Sequence, residues 1–329
     1  MKNPKLRLFF ISQSLAFTYF WLVLAIPYLI YRGLSPTEAF TLMSIYQLFG
    51  VLLEYPTGVI GDKFGYRKVT YLANTLNFLS MLIMCLPGNY YQYLFALLIL
   101  ALGNGFSSGN DMGILKSISL DIKKDTANYN SLMDFVLFIT SIIGGYVSRI
   151  SYELALVVSG VCMFSANIPL YLLRNDINET KNNNSFISII QDGFSYLNKH
   201  KFKLIFIIIA IFGGYSFTIK SIFGNFGQIY NVAVVNIGFL IGVGGLARSI
   251  GSKLYAEKPK VSLIYVTTAI AGSLIAMSIF PKYIVVVCLM TINQVFFGYL
   301  LSKIDGDIHE LSEDHIRASL FSLKRLSMR

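Results

Sequence analysis

The sequence predicts an all-α, polytopic membrane protein, and three observations carry that prediction. Hydrophobic residues make up 55% of the 329 positions, charged residues 13%, and the mean hydropathy is +0.61, far from the roughly 25% charge of a soluble globular chain. Ten apolar runs have the length that crosses a bilayer. Of the 27 lysines and arginines, 23 lie in or toward the segments on one side of those runs, the asymmetry that the positive-inside rule describes for one face of a membrane. A transmembrane barrel is excluded, because it needs short segments of alternating polarity rather than long apolar runs.

The runs follow in order. Residues 8–31 come after Lys2, Lys5 and Arg7, are too long for the h-region of a signal peptide and lack a small-residue cleavage site, so they read as the first permanent helix. Residues 40–58, 69–86, 93–114, 132–149 and 154–173 complete a first set of six. Residues 204–223, 237–255, 261–280 and 283–302 form a second set of four. Each is near the roughly 20 residues that cross about 30 Å of hydrocarbon, where a helix satisfies its own backbone. Between the sets lies the longest polar interval, residues 174–203, with an Asn and Lys cluster at 181–184. Within it Phe186, Ile189, Ile190, Phe194 and Leu197 recur at helical spacing, which predicts an interfacial helix on the cytoplasmic leaflet. The chain thus divides into an N-terminal six-helix bundle (1–173), a cytoplasmic linker (174–203) and a partial second bundle (204–329). Gly105, Gly109 and Gly113 in the fourth span, and Gly238 and Gly242 in the eighth, place small residues on one face for close helix crossings.

The net charge of +10 is distributed as topology requires, not as a nucleic-acid footprint. With the N-terminus inside the cytoplasmic membrane, Arg32, Arg149, Lys220 and Lys282 are the bases left on the outer side, Lys220 snorkelling toward the headgroups. Cys85, Cys162 and Cys288 lie far apart inside predicted spans and read as packing residues. His200, His309 and His315 fall in or beside cytoplasmic loops and pair with nothing at metal-ligand spacing. No GxSxG, HExxH or Walker-type motif is present. The expectation is therefore no enzyme, no metal and no cofactor.

After the second run, residues 58–68 read GVIGDKFGYRK, a charged gap dense in glycine. Gly58, Asp62, Lys63, Gly65 and Arg67 match in register the pattern Gly, three residues, Asp, a basic residue, any residue, Gly and then basic residues, with Tyr66 replacing the usual first Arg. This resembles the loop between helices 2 and 3 of the major facilitator superfamily. The resemblance implies a secondary transporter whose halves are parallel repeats working by alternating access, with Asp62 holding an outward-facing state through the start of helix 11. That family usually has twelve helices. Here ten are counted, and residues 316–326 (IRASLFSLKRL), after the cap candidates Ser312 and Glu313, read as the opening turns of an eleventh, so an incomplete second half is expected. The resemblance does not extend to drug/proton antiporters, since the fourth span lacks Arg-x-x-Gln-Gly and the fifth a Gly-Pro pairing, although 26 Phe and 21 Tyr leave efflux of hydrophobic solutes open.

Ionisable groups within lipid cost roughly 2.5 to 3.5 kcal/mol on insertion scales and are functional candidates by default. Glu54, Asp111 and Asp134 are expected in the cytoplasmic third, where Lys63, Arg67 and Lys116 make them candidates for an inner gate released by protonation. A structural ion-pair role is the plainer alternative. Gln47, Asn104, Arg248 and Gln294 are expected at the midplane as substrate-cavity candidates, interhelical hydrogen bonds being the plainer reading of the amides. Arg248 at that depth needs an anionic partner, either Glu54, Asp111 or the substrate. The function expected is proton-coupled movement of a small-molecule substrate across the bilayer. The alternative is a transport-incompetent fragment or interaction protein that needs a protein partner.

Overall fold

The computed structural model describes residues 3–173, 234–280, 283–313 and 317–327, with six further positions between 188 and 211. The expected linker and its interfacial helix, most of the seventh span and Lys220 lie outside the described residues. Among those described, every regular element is helical.

The first span is not one rod. It consists of α1 (Pro4–Ala16), a 3-10 turn (Phe20–Val23) and α2 (Ala25–Tyr31). Bulky aromatic and β-branched residues between 17 and 23 weaken the helix locally. Gly144 receives the resulting corner, since a Cβ there would lie 2.7 Å from the Phe20 carbonyl oxygen. Helix α3 (Pro36–Phe64) starts at a capping box: the Ser35 hydroxyl accepts from the Glu38 N–H at 3.3 Å, and the Glu38 carboxylate accepts from the Ser35 N–H at 2.8 Å. It runs through the glycine-rich motif, so Gly58–Phe64 form the last turns of a helix and not the loop expected. Gly65 alone, at φ 100°, separates it from α4 (Tyr66–Cys85).

The fourth span is also divided, into α5 (Tyr90–Ser107) and α6 (Asn110–Ile118), at Gly109 with φ 79°. Gly105, Gly109 and Gly113 therefore do not share one face. Their absent side chains make room for Thr57, the Ala318 carbonyl and the Tyr66 ring respectively. Helix α7 (Ile122–Val147) is capped by the Asp121 carboxylate and begins well before the apolar run, because residues 122–131 are polar yet helical. Asp134 is thereby moved from the expected inner end to the centre of its helix. Then come α8 (Tyr152–Ser165), α9 (Asn167–Leu172), α10 (Val234–Glu257), α11 (Leu263–Ile279), α12 (Tyr283–Leu311) and α13 (Arg317–Ser327).

Four described segments are long and apolar enough to cross a membrane, Tyr90–Ile118, Ile122–Val147, Tyr152–Leu172 and Ile284–Leu311, and the bent first pair makes a fifth. Leu48, Leu52, Ile264, Tyr265 and Ile284 stay exposed on the outer faces, at 60% to 77% of their surface, which suits lipid rather than water as the neighbour. Two packing zones differ in membership. At the end holding the Gly58–Lys68 motif, one core joins early and late helices, with Phe9, Val59, Tyr66 and Tyr129 packed with Phe297, Ile304, Ile308 and Phe321. At the opposite end, Trp21, Tyr28, Leu42, Met81, Tyr93 and Leu156 form a core whose described members all precede residue 174. Helix α10 packs most extensively on α7 and then on α12. Glycine permits both contacts: a Cβ at Gly245 would lie 2.9 Å from the Asp134 carbonyl oxygen, and Gly251 and Gly298 abut the Val295 and Arg248 backbones.

Candidate functional site: a clasp at one end and an ion pair at mid-depth

Asp62 is completely buried and accepts four hydrogen bonds. The Ala318 N–H donates to its Oδ1 at 3.0 Å, and the Ser319 N–H and hydroxyl donate to its Oδ2 at 2.9 and 2.5 Å. The Tyr66 hydroxyl adds a fourth at 3.1 Å. The carboxylate thus caps the N-terminus of α13 from another helix, satisfying N–H groups that have no partner within their own helix and meeting the positive end of its dipole. The cap expected from Ser312 or Glu313 is supplied here by Asp62, while Ser312 accepts from the Arg317 guanidinium through its hydroxyl and carbonyl oxygens. Tyr66, the departure from the family pattern, is itself one of the donors.

Glycines make the slot into which α13 fits. A Cβ at Gly58 would collide with the Ser322 hydroxyl, and one at Gly109 would lie 2.5 Å from the Ala318 carbonyl oxygen. The break at Gly109 also turns the Ser108 carbonyl toward the Ser322 hydroxyl, which donates to it at 3.3 Å, while the Ser108 hydroxyl donates to buried Glu54. Gly65 supplies the turn that lets Tyr66 fold back on Asp62. Lys63 and Arg67 are half-buried at the rim.

Beneath the cap lies a pair of carboxylates reached by neighbouring residues of the same two helices. On α13, Arg325 donates to Asp111 at 2.8 Å, and the adjacent Lys324 is paired with Asp305. On α7, the Tyr129 hydroxyl donates to Asp111 at 2.8 Å, and the adjacent Asn130 amide donates to Asp305 at 2.9 Å. Each acid, 1% and 2% exposed, therefore holds one cation from α13 and one neutral donor from α7. A buried carboxylate is tolerated only when paired and hydrogen-bonded in this way. Asp111 is reached by Arg325 and Glu54 by the Ser108 hydroxyl, groups that the docked α13 and the broken fourth span bring close.

Asp134, at the centre of α7, accepts from Arg248 Nε at 3.0 Å. Its partner is thus neither Glu54 nor Asp111. Arg248 Nη1 also donates to Gln294 Oε1 at 3.5 Å, which joins α7, α10 and α12 at one depth. One turn away the Ser131 and Ser249 hydroxyls meet at 3.0 Å. Asn104 donates to the Tyr46 hydroxyl at 2.9 Å and accepts from Asn77 at 3.4 Å, an interhelical network away from Arg248, with half-buried Gln47 next in sequence to Tyr46. Of the four cavity candidates, Arg248 and Gln294 are therefore brought together, and Asn104 bonds elsewhere.

Sequence reasoning missed Ser319, Tyr129, Asn130, Asp305, Lys324 and Arg325. The two adjacent bases in an otherwise apolar turn, at 324 and 325, were the available signal. His309 lies in the last turn of α12, which ends at Leu311. It is 2% exposed and packs on the Phe321 ring at 4.5 Å between centroids.

Two solved structures are similar to this arrangement. One is of the human organic anion transporter MFSD10 (TETRAN), with a TM-score of 0.68 and 12% identity over 99% of this chain and 90% of that chain. The other is of a bacterial homologue of the iron transporter ferroportin in an outward-facing state, with a TM-score of 0.70 and 14% identity over 98% of this chain and 88% of that chain. A comparison with curated proteins finds no match. At such identities the two structures show a shared fold. The sequence profile described as Major Facilitator Superfamily matches residues 8–323, nearly the whole chain, and this multi-pass membrane protein belongs to that superfamily of transporters.

Proposed function

We propose that the chain is a secondary active transporter of a small solute, that it works by alternating access, and that it is coupled to protons. The early helices (residues 1–173) and the late helices (204–329), joined by a linker at 174–203, are the two moving halves. The observation that carries this reading is the Asp62 cap. A buried carboxylate from one half holds the first turn of α13 in the other half by hydrogen bonds that rigid separation would break together. Such a contact suits a reversible latch, strong when formed and wholly absent when open.

The basic residues around this end support a cytoplasmic position for it, with the N-terminus inside the cytoplasmic membrane. A latch formed there corresponds to an outward-facing state. Gly58, Asp62, Lys63, Gly65 and Arg67 are the gating motif. Glu54, Asp111 and Asp134 are the candidates for carrying the proton, and Gln47, Asn104, Arg248 and Gln294 for lining the path of the solute.

The test is uptake into proteoliposomes of a panel of labelled anionic, cationic and neutral solutes under an imposed proton gradient. At least one solute accumulates with the wild-type chain, and Asp62→Ala abolishes accumulation while the protein still reconstitutes. No accumulation above empty liposomes by correctly folded protein contradicts the proposal.

A further inference from the structure

We infer that the recess between α1 and α7 binds an anionic phospholipid of the leaflet at the motif end, with the phosphate on Arg7 and one acyl chain laid along α1. One wall is a single face of the first span, from Arg7 to Thr18 at spacings of three and four residues, and the other is Leu132 of α7. The volume is about 480 Å³. Phe10, Ile11, Leu15 and Leu132 make the lining mostly apolar, and the Thr18 hydroxyl is turned to the Ser14 carbonyl oxygen at 3.2 Å. Such a lining suits hydrocarbon and offers a polar solute little to bond.

The neighbours of Leu132 set where the recess opens. Phe135, Ile139 and Ile143 continue its side of α7 at helical spacing and are 39% to 41% exposed, as apolar residues are where they meet lipid. The recess is therefore a furrow in the lipid-facing surface. Length and charge then select the occupant. From Arg7 to Thr18 the first span rises about 16 Å at 1.5 Å per residue, close to the roughly 15 Å of hydrocarbon in one leaflet. An acyl chain that starts at Arg7 ends with the recess. A helix about 10 Å across would need roughly 1,200 Å³ over that length, so a thinner chain fits better than another helix. Arg7 is exposed and makes no ion pair among the described residues. A guanidinium at the end of a span snorkels to the headgroups and takes a phosphate with two parallel hydrogen bonds. Asn128 and exposed Lys124 lie one and two turns from Leu132 on the same side of α7, and Lys253 of α10 donates to Asn128 at 3.3 Å. Bases from three helices thus gather at the headgroup end. The acids there are engaged, Asp121 by the Lys124 N–H and Asp125 by the Ser119 hydroxyl.

The test is native mass spectrometry of the purified full chain in neutral detergent, titrated with dioleoyl phosphatidylglycerol or dioleoyl phosphatidylcholine. Wild type retains one phosphatidylglycerol about tenfold more tightly than phosphatidylcholine, since more than one base contributes. Arg7→Gln weakens that first phosphatidylglycerol about fivefold, the weight of one base near anionic lipid, and leaves phosphatidylcholine unchanged. Arg149→Gln, an exposed base at the opposite end, changes neither. Leu15→Trp fills the recess and removes the tightly held lipid. The inference is overturned if wild type holds both lipids alike, if Arg7→Gln keeps the full preference, or if folded Leu15→Trp keeps the tight lipid. Should Leu15→Trp fail to fold, Ile11→Trp, at a position 44% exposed, decides in the same way. Dimers that Leu15→Trp dissolves, with no lipid retained, would assign the recess to a second copy and overturn it as well. The site requires the bilayer alone, so a failure to transport any solute would leave it standing.

Discussion

The two ends of the bundle are held in different ways. From the motif end to the Asp134 ion pair, polar groups cross between the early and late helices at Asp62, Ser108, Asp111, Asn128, Asn130, Ser131 and Asp134, over a core that both sets share. At the far end, the Arg32 guanidinium donates to the Cys85 carbonyl oxygen at 2.7 Å and pairs with Glu153 at 3.1 Å, and the Tyr28 hydroxyl donates to the Met84 carbonyl oxygen at 2.5 Å. Those bonds join early helices to one another, over a core whose described members are all early residues. Beyond Asp134 on α7 the late helices are met by Phe138 and Ile142 against Gly242. Among the described residues, hydrogen bonds between early and late helices therefore gather toward the motif end, while those of the far end hold early helices to one another.

The largest effect that would break this contrast comes from Asp62→Ala. It leaves two backbone N–H groups and two hydroxyls without their acceptor in a buried site, and a loss of about 3 to 5 kcal/mol of unfolding free energy is expected. At the far end Arg32→Gln, which removes an ion pair still partly exposed, costs about 1 kcal/mol or less. Equilibrium unfolding in one detergent compares the two directly, and equal losses would remove the asymmetry.

Next in size are the paired carboxylates. Arg325→Gln and Asp111→Asn each cost about 2 to 4 kcal/mol, while the double variant costs less than their sum by about 1.5 kcal/mol or more, because neither leaves the other charge stranded. Lys324→Met with Asp305→Asn behaves in the same way. A double-mutant cycle on each pair checks this, and additive losses would mean that the two acids do not depend on α13.

The smallest effect concerns the seam between α7 and α10. Gly245→Ala forces the helices apart against the Asp134 carbonyl and costs about 1 to 2 kcal/mol. Gly272→Ala, where a Cβ meets nothing within 4 Å, raises stability by about 0.5 to 1 kcal/mol through helix propensity. Thermal midpoints of the two variants should move in opposite directions.

The sequence showed the membrane class and the family motif plainly, because run length, basic asymmetry and the Gly58–Arg67 spacing are local properties. It did not show where helices break. Phe17–Leu24 sits inside a run as apolar as its neighbours, Ser107–Asp111 is a short polar stretch within the fourth span, and the groups that pack on Gly144 and Gly109 at these breaks come together only in the fold. The extent of α7 was hidden for the opposite reason: residues 122–131 are too polar to count as a span, yet they continue the helix. Hidden with it were the place of Asp134 along α7 and its pairing with Arg248. Asp62 was legible from the motif, whereas Asp305 and Lys324 become visible as a pair only when α12 and α13 lie side by side.

The most direct test of one-sided closure is the rate of thiol labelling at two depths, in a chain whose Cys85, Cys162 and Cys288 are replaced by serine. Ser322→Cys reports the latch, and Gln47→Cys reports the opposite side. Introducing Asp62→Ala should raise labelling at 322 about tenfold or more, as expected for a shift of about 1.4 kcal/mol between two states, and lower it at 47. Unchanged rates at both positions, or a rise at both, would contradict the account.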